Sequence, residues 1–543
     1  MTEPPQPPNQ PPAPDGYGHL PGPPQPSYGL PAQGPNPYAQ PQPPTTPLGQ
    51  PAYSFPTEPG TAGGAGQGRV PGGPSGRRRT TVLAAAVVAG VLVLGAGGYA
   101  LLAGGKKDPA APVAQSSPPA GPEASGTPDK GDGSGNGSQA VEDLNTGRKQ
   151  GEDKVLWLKT ATIDGPGMGV PTEGQWVVGD TVVKRLWNNL TAYGSGDGKE
   201  RWTLAFPAPI CSVTPQTTAD AKTVVLYRES GADGAQCNRM RLVDLKTGKE
   251  GWSKEIPEEG FLDIMTSPTL GMTGDTVAVS RSGSASAFKI STGEKLFGSG
   301  SAEGCKPGEY TVHNNRMIAV SRCLEKDGKG EVSGADPVTG KKTWTYQLPD
   351  GYKVANVYSL DPVVLDIGNQ AKNERAIVVL GPDGKHRATV SGEGKFANEC
   401  IPAPGGSLEV CRTTVVDGGT LYMPTAADTG KANEIVAFDL ATGKAKWRTP
   451  AGDSRTLTPI RMENGQLIAY RSAEKDKGGE VVAIPASGGT PTPLLRNPSG
   501  DAAPIENAFY GPQIDYVGGR LYISVTYLRA QGKDEKLLMV FGK

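Results

Sequence analysis

One short phrase returns along the C-terminal part of this chain, at intervals that few folds can satisfy. It is a polar turn followed by tryptophan. It reads Asp197-Gly198-Lys199-Glu200-Arg201-Trp202, then Thr247-Gly248-Lys249-Glu250-Gly251-Trp252, Thr339-Gly340-Lys341-Lys342-Thr343-Trp344 and Thr442-Gly443-Lys444-Ala445-Lys446-Trp447. Degenerate copies end at Phe297 and Ala388, and a weak one lies at Ser487-Gly488-Gly489. The marker positions 202, 252, 297, 344, 388 and 447 are 50, 45, 47, 44 and 59 residues apart. Self-similarity at such a period is the mark of a propeller or a related repeat architecture.

Each turn follows a short alternating segment rich in Val, Ile, Tyr and Phe, as in Met240–Leu245, Ala285–Ile290 and Glu434–Leu440. A second such segment lies upstream, as in Thr181–Arg185, Thr223–Tyr227, Thr276–Ser280, Met317–Ser321 and Leu421–Pro424. Period-two alternation of these residue types predicts strands. With room for an innermost strand, the unit is four antiparallel strands, and the phrase opens the outermost. Glycine in the turn takes positive φ. The lysine keeps its charge in water. The tryptophan lies against the neighbouring sheet. A sheet of this kind cannot cover its own faces, so consecutive sheets stack, and their twist closes a ring. An open solenoid or two β-sandwiches would not call for a recurring outer-strand tryptophan.

Turns near 198, 248, 293, 340, 384, 443 and 488 give seven units. Three further strands follow, Phe509–Val517, Arg520–Tyr527 and Lys536–Phe541, with no fourth. At the other end, Val155–Lys159 resembles an outer strand with no sheet before it, and Trp157 stands 45 residues before Trp202. The N-terminal strand is therefore expected to complete the last blade and remove an open edge. The expectation is an all-β, eight-bladed propeller over residues 151–543, with seven blades as the alternative because the seventh turn is weak.

The N-terminal part is different in kind. Residues 1–79 hold 23 of the 52 prolines within their first 76 positions, and those positions carry only Glu3, Asp15, Glu58 and Arg69 as acids and bases. So little apolar surface cannot offset chain entropy, which predicts a disordered Pro/Gly/Gln-rich tail. Residues 80–105 contain no charge, and about 20 apolar residues suffice to cross a bilayer. The segment lies too far from the start for a cleaved signal peptide, so it reads as one retained transmembrane helix. Arg77, Arg78 and Arg79 precede it and favour a cytoplasmic N-terminus, with the large C-terminal part extracytoplasmic. Residues 106–150 read as a flexible linker. Within it, Asp132-Gly133-Ser134-Gly135-Asn136-Gly137 with Asp143 imitates a calcium loop only loosely, because Asp stands where Glu belongs.

All six cysteines, Cys211, Cys237, Cys305, Cys323, Cys400 and Cys411, follow the apolar segment. An even number confined to one side predicts disulfides in an oxidising compartment. Neighbour pairing is the simplest arrangement, with Cys400 and Cys411 stapling an insertion in the long spacing. No CxxC is present, so neither a zinc ribbon nor a thioredoxin-type motif is supported.

The repeated phrase, in its fuller form Asp-Leu-x-Thr-Gly-Lys-x-x-Trp, resembles the pyrroloquinoline-quinone-type propeller repeat over roughly 154–543. With the Pro-rich tail and the single anchor, the chain resembles membrane-anchored propeller proteins of actinobacterial type. In that resemblance Trp157, Trp202, Trp252, Phe297, Trp344 and Trp447 are structural repeat positions. The fold hosts dehydrogenases, assembly factors and sensor ectodomains, so activity must come from a site. Enzymes of the alcohol-dehydrogenase type use adjacent cysteines, a calcium site and a catalytic aspartate. This chain has no adjacent cysteines and no haem-attaching CxxCH.

Other chemistry finds little support. His313 and His386 are the only histidines of the repeat region, and neither GxSxG nor GxxxxGK[ST] occurs. Glu258-Glu259 reads as a solvated turn. The 54 basic and 55 acidic residues balance, which gives no electrostatic case for nucleic acid. The expectation is a non-catalytic binding, sensing or scaffold module of the cell envelope, with no cofactor, no metal and no catalytic residue assigned. Its partners would be membrane lipid through one helix and a protein, peptide or glycan. The alternative is a quinone-dependent dehydrogenase or a carbohydrate-active enzyme on the same ring.

Overall fold

The structure is a computed structural model and describes residues 144–543, apart from 166–168, 260–262, 300–304, 324–328, 398–410 and 429. The tail, the apolar segment with Arg77, Arg78 and Arg79, most of the linker with its calcium-like loop, and Cys400 lie outside the described residues. Among the described residues no helix is long and apolar enough to cross a membrane.

The repeat region forms eight four-stranded antiparallel sheets, the blades of a propeller. Blades 1 to 7 span 175–205, 210–255, 264–298, 307–347, 353–390, 415–450 and 457–496, each running from inner to outer strand in chain order. Blade 8 is composite. Gln513–Val517, Arg520–Ser524 and Gln531–Gly542 supply three strands, and Lys154–Asp164 pairs with the last of them as the outermost. Eight blades, rather than seven, is the outcome, and the ring closes through its N-terminal strand.

Packing explains why the alternating pattern yields nearly continuous burial in the middle strands. Both faces of every blade are covered by neighbours, so Thr181–Leu186 is buried at five successive positions and Thr420–Pro424 at all five. Eight apolar clusters fill the ring, one in each seam between consecutive blades. The seam between blades 8 and 1 holds Trp157, Ala161, Val182, Tyr193, Leu538 and Val540. Among the described residues every seam is filled, which is the reason a stack of twisted sheets stops growing when it closes.

The repeated phrase works as a clamp between blades. Gly198 sits at φ +64°, and a Cβ there would lie 2.7 Å from Cγ of Trp157 in the preceding blade. Gly248 repeats this at φ +70° over Trp202, at 2.6 Å. Only glycine supplies both the backbone angle and the close approach. The indole nitrogen then donates across the seam, from Trp157 to Ser195 O (3.2 Å), Trp252 to Ile290 O (2.7 Å) and Trp447 to Ala486 O (2.9 Å). At 388, where alanine replaces the aromatic, Gly443 packs instead on the backbone of Thr389. The turns are fixed by Asp336 and Asp439, whose carboxylates accept hydrogen bonds from the residues two and three further on. Those bonds, led by the Thr339 hydroxyl and the Thr442 backbone, hold both carboxyls below the ordinary range.

Two strand expectations shift. The segment expected as Phe509–Val517 begins pairing only at Gln513, and a short helix α1, Ala502–Asn507, precedes it. Pro504 lies in the first turn of that helix, where a missing N–H breaks no hydrogen bond. The segment expected as Arg520–Tyr527 ends at Ser524, and Tyr527–Leu528 turns away to pair with Val170–Pro171.

Neighbour pairing of cysteines is found where the structure describes both partners. Cys211–Cys237 ties the inner strand of blade 2 to the loop before its third strand, with Cα atoms 6.2 Å apart. Cys305–Cys323 ties the start of the first strand of blade 4 to the end of its second, at 4.5 Å. Cys411 is also disulfide-bonded. Replacing Cys211 and Cys237 together with serine is expected to reduce unfolding free energy by about 3 kcal/mol, since a loop of this size is freed in the unfolded chain. Denaturant unfolding with and without the pair measures it. No change would mean that blade 2 does not draw stability from the crosslink.

Candidate functional site

The inner strands line the centre of the ring, and polar groups gather there at the seam between blades 8 and 1. Gln175 comes from the inner strand of blade 1, and Gln513 and Asp515 from that of blade 8. Lys184 and Arg185 come from the second strand of blade 1, Thr181–Leu186, as two adjacent cations before its last residue. Glu173 belongs to the segment leading into blade 1. Arg412 arrives from the connector between blades 5 and 6. It is close enough to Glu173, Asp515 and Lys184 to act on each electrostatically. Those groups lie two and three blades away round the ring.

Lys184 is fully buried. Its Nζ donates to Thr172 O (2.6 Å) and Val525 O (3.0 Å), one carbonyl on either side of the seam. Arg185 Nη2 donates to Ile210 O at 2.5 Å, and its Nε is buried without a partner. Gln175 Nε2 donates to Asp515 Oδ2 at 2.6 Å. Gln513 Nε2 donates to Gln175 O at 3.3 Å. The Oε1 atoms of both glutamines are buried without partners. Burial, with Arg412 nearby, pushes the Lys184 ammonium well below its usual range. Burial brings Arg185 down to about 10 and raises the Asp515 carboxyl. Each shift has the sign expected of an ionisable group taken out of water.

Chemically, this cluster is a stitch. The lysine nitrogen is enclosed by the two carbonyls it serves, and Asp515 is tied to Gln175 of the neighbouring blade. The geometry joins the closing blade to the first.

The other residues singled out by the sequence lie elsewhere. The repeat aromatics sit in the seams on the outer strands, away from the channel. His313 is exposed at the end of the inner strand of blade 4, Pro307–His313. His386 is exposed and shares a hydrogen bond with Thr389 Oγ1 at 2.9 Å. The Glu258-Glu259 reading is half corrected. Glu258 is exposed, but the Glu259 carboxylate is buried and pairs with Lys295 at 2.6 Å and Arg281 at 3.7 Å. Arg281 is itself buried and pairs with Asp263 at 3.2 Å, and a buried cation holds acids about it because an unpaired charge there is costly. Among the described residues, the one group of three metal-ligating side chains is Cys305, Cys323 and Glu331. Its two sulfurs are joined in a disulfide, so it is not a thiolate ligand set. A groove of about 310 Å³ between blades 7 and 8 is lined by Arg461, Gln466, Leu494 and Tyr516. It carries no clustered acid pair.

Fold and site together define a PQQ-type propeller, a closed eight-bladed ring clamped by glycine–tryptophan contacts. The family model described as outer membrane protein assembly factor BamB matches residues 140–299 and 240–490, and the chain belongs to that family. No curated protein matches the chain. Among solved structures, BamB from Moraxella catarrhalis is similar, at 13% identity and a TM-score of 0.40, over 71% of this chain and all of that one. A europium-containing methanol dehydrogenase is similar at 13% identity and a TM-score of 0.42, over 72% of this chain and 93% of that one. Quinohemoprotein alcohol dehydrogenase from Comamonas testosteroni is similar at 16% identity and a TM-score of 0.40, over 75% and 83%. In the channel the Lys184 ammonium is taken by backbone carbonyls, whereas Arg185 Nε and the Oε1 atoms of Gln175 and Gln513 have no protein partner, and the described residues offer no carboxylate trio there.

Proposed function

We propose that this protein is a non-catalytic binding module of the cell envelope, anchored by one transmembrane helix with its propeller outside the cytoplasm. The observation that carries this reading is the channel itself. Lys184 and Asp515 are held by groups of the ring itself and fasten blade 8 to blade 1, which supports a role in closing the ring. The uncharged segment 80–105 behind Arg77, Arg78 and Arg79 supports the anchor, and the disulfides support an oxidising compartment. Recognition of a protein, peptide or glycan then falls to the loops at the ends of the blades, where a rigid ring holds variable segments.

The test uses the full-length chain in detergent, incubated with pyrroloquinoline quinone and calcium. Native mass is expected to be unchanged, and an alcohol substrate is expected to give no dye reduction. Stoichiometric quinone uptake with alcohol-dependent dye reduction would overturn the reading. Protease treatment of intact spheroplasts tests the orientation. The ring is expected to be accessible and the tail protected, and the reverse pattern would refute the proposed topology.

A further inference from the structure

The connector between blades 7 and 8, residues 497–512, carries a carboxyl group that the channel does not use. Helix α1 holds Glu506 against blade 7 at 2% exposure. Three donors converge on it. Tyr470 Oη donates to Oε1 at 2.7 Å, Asn497 Nδ2 to Oε1 at 2.5 Å, and the Gly479 N–H to Oε2 at 3.0 Å. All three are neutral. The nearby cation, Arg455, is bound to Gly478 O at 3.3 Å and Glu480 Oε2 at 3.2 Å. Burial pushes the Glu506 carboxyl up to about 7, against the pull of the three donors and of Arg455.

Asn497 supplies a second observation. Its Oδ1 is buried without a partner. Turning the amide over would bring that oxygen to a protonated Glu506, whose O–H would then donate to it. One asparagine can therefore serve both states of the carboxyl, through Nδ2 when it is ionised and through Oδ1 when it is protonated.

The same connector is the floor on which the N-terminal segment lies. Ser499 N and Oγ each donate to Glu152 Oε2 at 3.0 Å. Beside it, at the end of the outer strand of blade 7, Arg496 N donates to Asp153 Oδ2 at 2.8 Å, and Asp153 N to Arg496 O at 2.6 Å. Leu144 and Val155 share one apolar cluster with Ala502 and Phe509. These contacts hold the residues that feed the ring-closing strand Lys154–Asp164.

We infer that Glu506 and Asn497 form a proton-operated clasp, closed on blade 7 when Glu506 is protonated and loosened, together with the N-terminal segment, when it ionises. The titratable and charged groups around it are Tyr470 from blade 7 and Arg455 from the connector before it, with Glu480 and Asp453 behind Arg455. Asp501 lies on the connector that carries Glu506, and Glu152 and Asp153 on the N-terminal segment. Glu506 has a folded value raised above its ordinary 4.5. Its contribution is therefore complete below that value and lost as pH rises through about 7. Glu152 has the opposite sense. Burial raises its carboxyl, but hydrogen bonds from Lys149 and Ser499 leave it lowered on balance, so its contribution is lost only in acid. Between pH 5 and 7 the two do not overlap.

Hydrogen exchange of the full-length protein tests the clasp in that window, after correction for the intrinsic effect of pH. The opening constant of segments 144–153 and 497–509 is expected to rise by up to about tenfold per pH unit and to level off above about 7. In Glu506→Gln the slope is expected to vanish. Tyr470→Phe removes one donor to the carboxylate, which should move the levelling-off to higher pH and keeps the test open if the first variant folds poorly. A flat wild-type profile, an unchanged slope in Glu506→Gln, or an unmoved profile in Tyr470→Phe would each overturn the proposal.

Discussion

Trp157→Ala is expected to lower the unfolding free energy of the ring by roughly 3–5 kcal/mol, the range for removing a large aromatic from a packed interior. Trp157 is 3% exposed. Its ring lies under Gly198 of blade 1 and its nitrogen donates to Ser195 O. It is therefore the clamp of the one seam whose blades are not consecutive along the chain. Trp202→Ala removes the corresponding glycine–indole contact between blades 1 and 2, where the indole nitrogen makes no hydrogen bond and the chain itself still joins the blades. Chemical unfolding of both variants, followed with hydrogen exchange of the Lys154–Asp164 strand, separates the two effects. Trp157→Ala is expected to release that strand and Trp202→Ala to leave it protected. Equal protection in both would show that closure does not depend on this clamp.

Lys184→Ala is expected to cost about 3–5 kcal/mol, the scale for breaking a buried charged network by removing one member. The alanine would leave Thr172 O and Val525 O without their donor, and an unsatisfied buried carbonyl costs about 1–3 kcal/mol. It would also take one cation from the set facing Glu173 and Asp515. Lys184→Met separates these causes, because it keeps the chain length and apolar packing but not the donor. Denaturant unfolding is expected to place Lys184→Met close to Lys184→Ala. A methionine variant as stable as the wild type would show that the stem matters and the ammonium does not.

Much of the ring was legible in the chain because its determinants are local and repeated. The turn glycines, the outer-strand aromatics and the alternating segments lie within a few residues of one another, and each copy supports the reading of the rest. The closing strand could be found from Trp157 because its distance to Trp202 equals one period. The cysteine pairs were accessible for the same reason, since each lies inside one blade. The local rules failed where the chain leaves the repeat. Helix α1 precedes the strand expected from residue 509, which begins only at Gln513, and Tyr527–Leu528 pairs with a segment more than three hundred residues away.

The polar groups were hidden for a physical reason. Lys184 and Arg185 lie near the end of an ordinary strand, Arg412 stands in an insertion, and Asp515 resembles any surface acid in its own neighbourhood. The one local signal was a pair of adjacent cations in a strand expected to be buried. Glu259 and Glu506 are hidden likewise, because their partners Arg281, Tyr470 and Asn497 come from other strands and connectors. The sequence by itself determined the blade, the glycine and aromatic of its clamp and the means of closure, since these follow from periodicity and short-range sterics, and it left the count at eight or seven. Only the tertiary structure decided which charges meet in the channel and which carboxyl is buried beneath the N-terminal segment. Those encounters exist because ring closure brings distant residues into one dry space, where a charge must find a partner or give up its ionisation.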